Sequence, residues 1–181
     1  MKERVLLFGA SGSGTTSLGK AAAKELGYRH VDTDDFFWLD VGTYMNMRPL
    51  DERLLLLRKA LAAPGFIISG SLDGWGDSLI EYFDLAVFVT VDMGTRMDRL
   101  RQRERQRYGS RIDYGGDRYE SSREFLNWAQ SYDVDDGTSG RSRSRHLRWM
   151  EGLGIPIYTI DNSGSFEESL HRLISIIKTA K

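Results

Sequence analysis

Residues 9–20 read GASGSGTTSLGK, a glycine-rich turn that follows the apolar run Arg4–Phe8 (RVLLF) and leads into a segment of helical character. Gly9 and Gly14 hold the spacing of the Gly-x-x-x-x-Gly-Lys-Ser/Thr phosphate loop and Thr16 its hydroxyl position, while the lysine position is Thr15. The physics of the rest survives that exchange. Small residues let successive backbone N–H groups converge on an anion, and the following helix turns its positive N-terminal end toward it. Gly9, Ser11, Gly12, Ser13, Gly14, Thr15, Thr16 and Ser17 are therefore the expected phosphate-binding set, and Thr16 is placed to offer its hydroxyl to Mg²⁺. Lys20 does not replace the absent ammonium: on a helix it lies about 7.5 Å and about 140° beyond residue 15, which turns it away.

Two other readings of the turn compete. One is a tight structural corner; the other is the glycine turn of dinucleotide-binding dehydrogenases, with Asp32 about 20 residues on to grip a ribose. Against the second, no tyrosine in the chain has lysine four positions later, the pair that short-chain dehydrogenases carry.

Outward from the turn, strands and helices alternate. The spacing predicts a helix over Thr15–Leu26 stopped by Gly27, a strand over Tyr28–Val31, and an acidic, aromatic loop DTDDFFWLD. A helix in DERLLLLRKALAA, strands in GFIISGS, DLAVFVTVD and IPIYTID, and a closing helix with Phe166, Leu170, Leu173, Ile174 and Ile177 in register complete the pattern. This predicts one α/β domain over residues 1–181, a three-layer α/β/α fold around a mostly parallel five-stranded sheet, with ligands beyond the carboxyl ends of the strands. Residues of about 104–150 break the alternation. Gly, Ser, Asp, Arg and Tyr dominate there, yet Phe125, Trp128, Ala129 and Tyr132 keep helical spacing, which predicts an arginine-rich lid insertion holding a short helix.

The balance of 25 Lys plus Arg against 26 Asp plus Glu gives no global pull toward nucleic acid or an anionic membrane. The absence of cysteine removes thiolate chemistry and zinc-thiolate sites, and the three histidines are scattered. A soluble, cytoplasmic protein without nucleic-acid or membrane partners is expected, the oligomeric state being left open.

Charge is concentrated in TRMDRLRQRERQRYGSR, where Arg96, Arg99, Arg101, Arg103, Arg105, Arg107 and Arg111 are diluted only by Asp98 and Glu104. Met93, Met97 and Leu100 give this helix an apolar seam. Its arginines suit a phosphate clamp, with Arg101, Arg105 and Arg107 as the candidates for catalysis; a solvated face with pairs such as Asp98–Arg101, or nucleic-acid binding, are the rival uses. Asp32, Asp34 and Asp35 close the second strand, where aspartates also cap helices and fill turns. On the acceptor side, Arg48 or Arg53 is the available cation for a phosphate, Gly70 follows the third strand, and Phe36, Phe37, Trp38, Tyr44 and Trp75 are candidates for a stacking wall.

Taken in order, GASGSGTT, DTDD, the glycine after FIIS, VFVTVDMGTRMDRLRQR and YTIDNSGS resemble the small-molecule P-loop kinases: nucleoside monophosphate, shikimate and gluconate kinases, and adenylate-kinase-like bacterial proteins. The resemblance spans nearly the whole chain. It implies an ATP- and Mg²⁺-dependent phosphotransferase acting on a nucleotide or small-molecule acceptor, with a lid that closes over ATP and DNSGS near the adenine. It also implies that Asp34 positions or deprotonates the acceptor hydroxyl while Asp32 supports Mg²⁺ through water. SGSLDGWGD stands where adenylate kinases carry Asp-Gly-Phe-Pro-Arg, which argues against adenylate kinase activity proper.

Overall fold

In a computed structural model, residues 3–40, 46–134 and 140–180 are described. The first strand, β1 (Arg4–Gly9), sends Val5 and Leu7 to one side and Leu6 and Phe8 to the other, all fully buried. A strand apolar on both faces needs cover on both, and it receives it. Parallel strands β2 (Arg29–Asp32), β3 (Phe66–Ser69), β4 (Leu85–Thr90) and β5 (Ile157–Asp161) complete a five-stranded sheet of order β2-β3-β1-β4-β5. Register pairs Leu6 with Ile68 on one side and Phe8 with Phe88 on the other.

Two layers of helix sandwich the sheet. Helices α1 (Thr15–Leu26) and α7 (Phe166–Thr179) cover Val5, Leu7, Ile67, Val87 and Val89 through Leu18, Ala22, Leu173 and Ile177. Helix α3 (Leu50–Ala60), a 3₁₀ turn (Asp77–Tyr82) and the end of α6 (Arg143–Glu151) cover Leu6, Phe8, Ile68 and Phe88. The three-layer architecture is the one the alternation predicts. Differences are local: β2 runs one residue later than the spacing suggests, and the acidic loop contains a helical turn, α2 (Asp34–Phe37).

Helix α4 (Met93–Tyr108) begins at an Asp92 cap whose Oδ1 accepts from Thr95 N at 2.9 Å. It packs Met97 and Leu100 against Ala129, Phe125 and Leu126 of α5 (Tyr119–Ser131), away from the main sheet core. The seam is shorter than expected, since Met93 is exposed. Among the described residues, no helix is long and apolar enough to cross a membrane.

Candidate active site

Strand β1 lies between β3 and β4, so the chain leaves its carboxyl end at the point where connections diverge to the two halves of the sheet. Crevices open there in parallel sheets. The turn that follows needs left-handed backbone at Gly12 (φ 85°) and Gly14 (φ 89°), which glycine adopts without a Cβ penalty. Leu18 N donates to Gly14 O at 2.9 Å, the first bond of α1, so the amides of Thr15, Thr16 and Ser17 have no acceptor within the helix. Those groups, with the loop, border a cleft of about 1040 Å³. A smaller cavity of about 510 Å³ beyond the ends of β4 and β5 lacks both the loop amides and the acid cluster.

The loop is braced from outside the cleft. Arg96 of α4, 1 % exposed, donates to Ser11 O at 3.1 Å, to Ala129 O at 2.9 Å and to Asp133 Oδ2 at 2.5 Å. Asn162, after β5, donates from Nδ2 to Ser13 O at 2.9 Å, and Arg99 donates to Asn162 O at 2.9 Å. Ser13 is fully buried beneath the loop and does not border the cleft; Gly9, Ser11, Gly12, Gly14, Thr15, Thr16 and Ser17 do.

Asp32, Asp34 and Asp35 all face the same cleft, carried there by the end of β2 and the α2 turn. Asp32 Oδ1 accepts from Asp34 N at 3.1 Å. Asp34 opens into the cleft, but the walls around its carboxyl exclude enough water that desolvation holds its pKa above the usual carboxylate range; Asp32, and less strongly Asp35, add to this, while Arg141 and Arg103 oppose it. Arg141 precedes α6 and is itself desolvated, which lowers its pKa against the raising fields of Asp34 and Asp73. Gly70 (φ 116°) borders the cleft, and the position admits no side chain, since a Cβ there would lie 1.7 Å from Thr33 Oγ1.

The arginine helix divides by rotation. Arg99, Arg103 and Arg107 share a stripe that borders the cleft. Arg101 and Arg105 stand on the opposite flank, correcting their expected position: Arg101 pairs with Asp98 at 2.9 Å and Arg105 with Asp113 at 2.6 Å, both exposed. Arg48 is also displaced from the expected acceptor site. Its guanidinium donates to Phe36 O and Trp38 O and pairs with Glu52, fastening α2 to α3. Arg53 lies over the Phe37 ring at 4.1 Å and donates to Arg48 O at 2.6 Å. Trp75 supports Phe37 at 5.5 Å and donates to Ser71 O, behind the cleft wall that Phe37, Trp38 and Met47 form. Phe36 packs on the core, and Tyr44 lies outside the described residues. Lys20, expected to turn away, borders the cleft near His30, Asp32 and Asp35. Arg103 and Arg141, which place positive charge beside Asp34, were not individually marked by any sequence motif.

Which residues fit a metal follows from the donors. Among the described residues no cluster of three His, Cys, Asp or Glu side chains could cage an ion. Mg²⁺ does not need one, since it keeps several waters and takes one or two protein oxygens plus substrate phosphates. Thr16 and Asp32, both on the cleft, fit that pattern.

No family model matches the chain. It is 42 % identical over 180 residues to a protein of Bacillus subtilis (strain 168) named as uncharacterized protein YqaC, covering 99 % of both chains. A shikimate kinase 2 of Sodalis glossinidius is 43 % identical over 42 residues, about a quarter of each chain. Among solved structures, shikimate kinase from Bacteroides thetaiotaomicron superposes with a TM-score of 0.60 at 16 % identity, covering 98 % of this chain and 99 % of the other. The Acinetobacter baumannii shikimate kinase in complex with shikimate gives 0.55 at 14 % identity, over 98 % and 94 %. The fold matches that of the shikimate kinases.

Proposed function

We propose, from the premise that the chain belongs to the family of the Bacillus subtilis protein YqaC, that it is an ATP- and Mg²⁺-dependent phosphotransferase carrying the γ-phosphoryl group to a small hydroxyl-bearing acceptor. The observation that carries this reading is a single cleft in which loop amides, a desolvated aspartate and an arginine stripe meet. Phosphoryl transfer asks the protein mainly for positioning and charge neutralisation. Amides of Ser11, Gly12, Gly14, Thr15, Thr16 and Ser17 bind the phosphates, that of Ser13 being donated to Ala10 O, and Arg99, Arg103 and Arg107 supply the charge that Thr15 lacks. Asp34 receives the acceptor's hydroxyl proton, its raised pKa bringing it closer to the operating pH. Thr16 and Asp32 would hold Mg²⁺, which supplies neutralisation of phosphate charge.

The acceptor lies between Asp34, the Phe37–Trp38–Met47 wall and Gly70, with Arg141 beside Asp34. That cation favours an acceptor bearing an anionic group, a description that a nucleoside monophosphate and a hydroxy acid both meet. Trp128 of α5 borders the cleft from the other side, consistent with residues 104–150 acting as a lid. Residues 135–139 of that segment lie outside the described residues. The outer arginines are paired within the chain at Arg101, Arg105 and Arg111, which supports a reading without nucleic-acid partners.

The test is ATP consumption by purified protein with Mg²⁺ across nucleosides, nucleoside monophosphates and hydroxy acids. Stimulation by one class is the expected result; none from any class would count against transfer. Thr15 motivates a second reading, a nucleotide-binding regulator without efficient turnover. Calorimetric ATP binding with no turnover on any acceptor would select it.

A further inference from the structure

Behind the acceptor wall lies a buried polar chain that the phosphate site does not use. Ser71 Oγ is 2.9 Å from His146 Nε2, and His146 Nδ1 is 2.8 Å from Tyr132 Oη. His146 is fully buried, Ser71 is 3 % exposed and Tyr132 6 % exposed. The imidazole sits among Phe8, Phe88 and Trp149, in an apolar socket that spans the sheet and the base of the lid. Burial, reinforced by Arg141 and Arg145, pushes its pKa down to about 3, so the ring is neutral at ordinary pH. A neutral imidazole has one donor and one acceptor nitrogen, and its neighbours decide which is which.

Among the described residues, the Tyr132 hydroxyl finds no acceptor except Nδ1. Its pKa is raised by burial, so the proton stays on the phenol and must be donated there. Nδ1 then accepts, and Nε2 carries the ring proton and donates to Ser71 Oγ. Asp73 N also donates to Ser71 Oγ, at 3.3 Å. With both lone pairs of that oxygen engaged, its own proton is left over, on a residue that borders the cleft beside Gly70.

We infer that Ser71 is a specificity-determining residue, a hydroxyl fixed as a donor toward an oxygen of the acceptor molecule, with Tyr132 and His146 as the positioning residues that set its polarity. This rests on the phosphotransferase reading for its purpose but not for its geometry. An acceptor offering a carboxylate, phosphate or carbonyl oxygen at that point gains a hydrogen bond. One offering only a donor N–H is refused, because the hydroxyl has no free lone pair to receive it.

Two measurements test it. Nitrogen-15 NMR of the ligand-free protein reports the His146 tautomer: protonated Nε2 with an unprotonated, hydrogen-bonded Nδ1 is expected, and Tyr132→Phe should shift the Nδ1 resonance toward that of a free acceptor. Protonated Nδ1 in the wild type overturns the inference whether or not the protein transfers phosphate. Steady-state kinetics with shikimate and D-gluconate as probes forms the second arm. Ser71→Ala should raise the acceptor KM about tenfold, the worth of one lost hydrogen bond, with the ATP KM unchanged and Ser71→Thr restoring it. An acceptor KM left unaltered by Ser71→Ala, for whichever probe is turned over, overturns the role of Ser71. Inactivity of the wild type on both probes counts against the phosphotransferase reading, and the tautomer then decides the polarity alone.

Discussion

The Arg96 guanidinium lies 2.5 Å from the Asp133 carboxylate while also holding the Ser11 carbonyl, so one buried cation ties the end of α5 to the phosphate loop. Removing one partner of such a pair strands the other. Arg96→Ala should cost about 3–5 kcal/mol in urea unfolding, and Asp133→Asn less, because the two carbonyl acceptors remain and Asp133 is partly exposed. At temperatures where both variants stay folded, ATP affinity should fall more for Arg96→Ala, measured by calorimetry. Equal affinities would show that the strut holds the fold but not the loop.

Asp34→Asn should separate activity from stability. Turnover should fall by about 10²–10⁴, the usual contribution of a positioned base. The folded pKa of Asp34 lies above its unfolded value, so its contribution to stability is present below the unfolded pKa, about 3.9, and is lost as pH rises through the folded one. The variant, permanently neutral, should therefore melt higher than wild type near pH 7, with the difference closing below about pH 4. A lower melting temperature at pH 7 would contradict the desolvated site.

The two flanks of α4 should behave differently. Arg103→Gln and Arg107→Gln are expected to reduce kcat/KM by about 10²–10³, the scale for one lost electrostatic donor, and to reduce its dependence on salt. Arg101→Gln and Arg105→Gln break only exposed pairs with Asp98 and Asp113, so stability and turnover should remain within about 1 kcal/mol of wild type.

Gly70→Ala should destabilise the protein by about 1–3 kcal/mol from backbone strain alone, since φ is 116°. The added methyl also meets Thr33 Oγ1. Thr33→Ala in the same chain should recover the steric part and leave the strain, a partial rescue readable in thermal melts.

Thr15→Lys tests where the site's charge comes from. With Arg99, Arg103 and Arg107 already on the cleft, a new ammonium should leave ATP affinity within about threefold or lower it through repulsion, about 1 kcal/mol at most in a wet cleft. A tightening of tenfold or more would mean that the arginines do not reach the phosphates.

Much of this site was readable from local pattern. Strand β1, the glycine turn and α1 announced themselves because each obeys a short-range rule: continuous apolar residues, Gly at positive φ, and a helix stop at Gly27. The acids at 32–35 were placed by their position after β2. Rotation around α4 was harder. Arg101 and Arg103 differ by two helical positions, about 200°, and both arginine stripes repeat at i, i+4, so only the docking of Leu100 and Met97 on α5 tells which stripe faces the cleft. Helix α6 was hidden because RSRHLRWME carries few apolar residues and buries chiefly a histidine. Arg48 and Trp75 were misplaced for the opposite reason: their chemistry suits a ligand, but Glu52, Phe36 O, Trp38 O and Ser71 O take their polar groups first.

The stitch from Asn162 to Ser13 spans 149 positions of chain, and that from Arg96 to Ser11 spans 85. The loop residues lie at positions 9–17, yet one of the two stitches beneath them is supplied only after the last strand, β5. A chain that stops before β5 carries the motif with the Arg96 stitch but without the Asn162 one. Fragments lacking the segment from β5 onward should thus be retained less by nucleotide resin than the 181-residue chain.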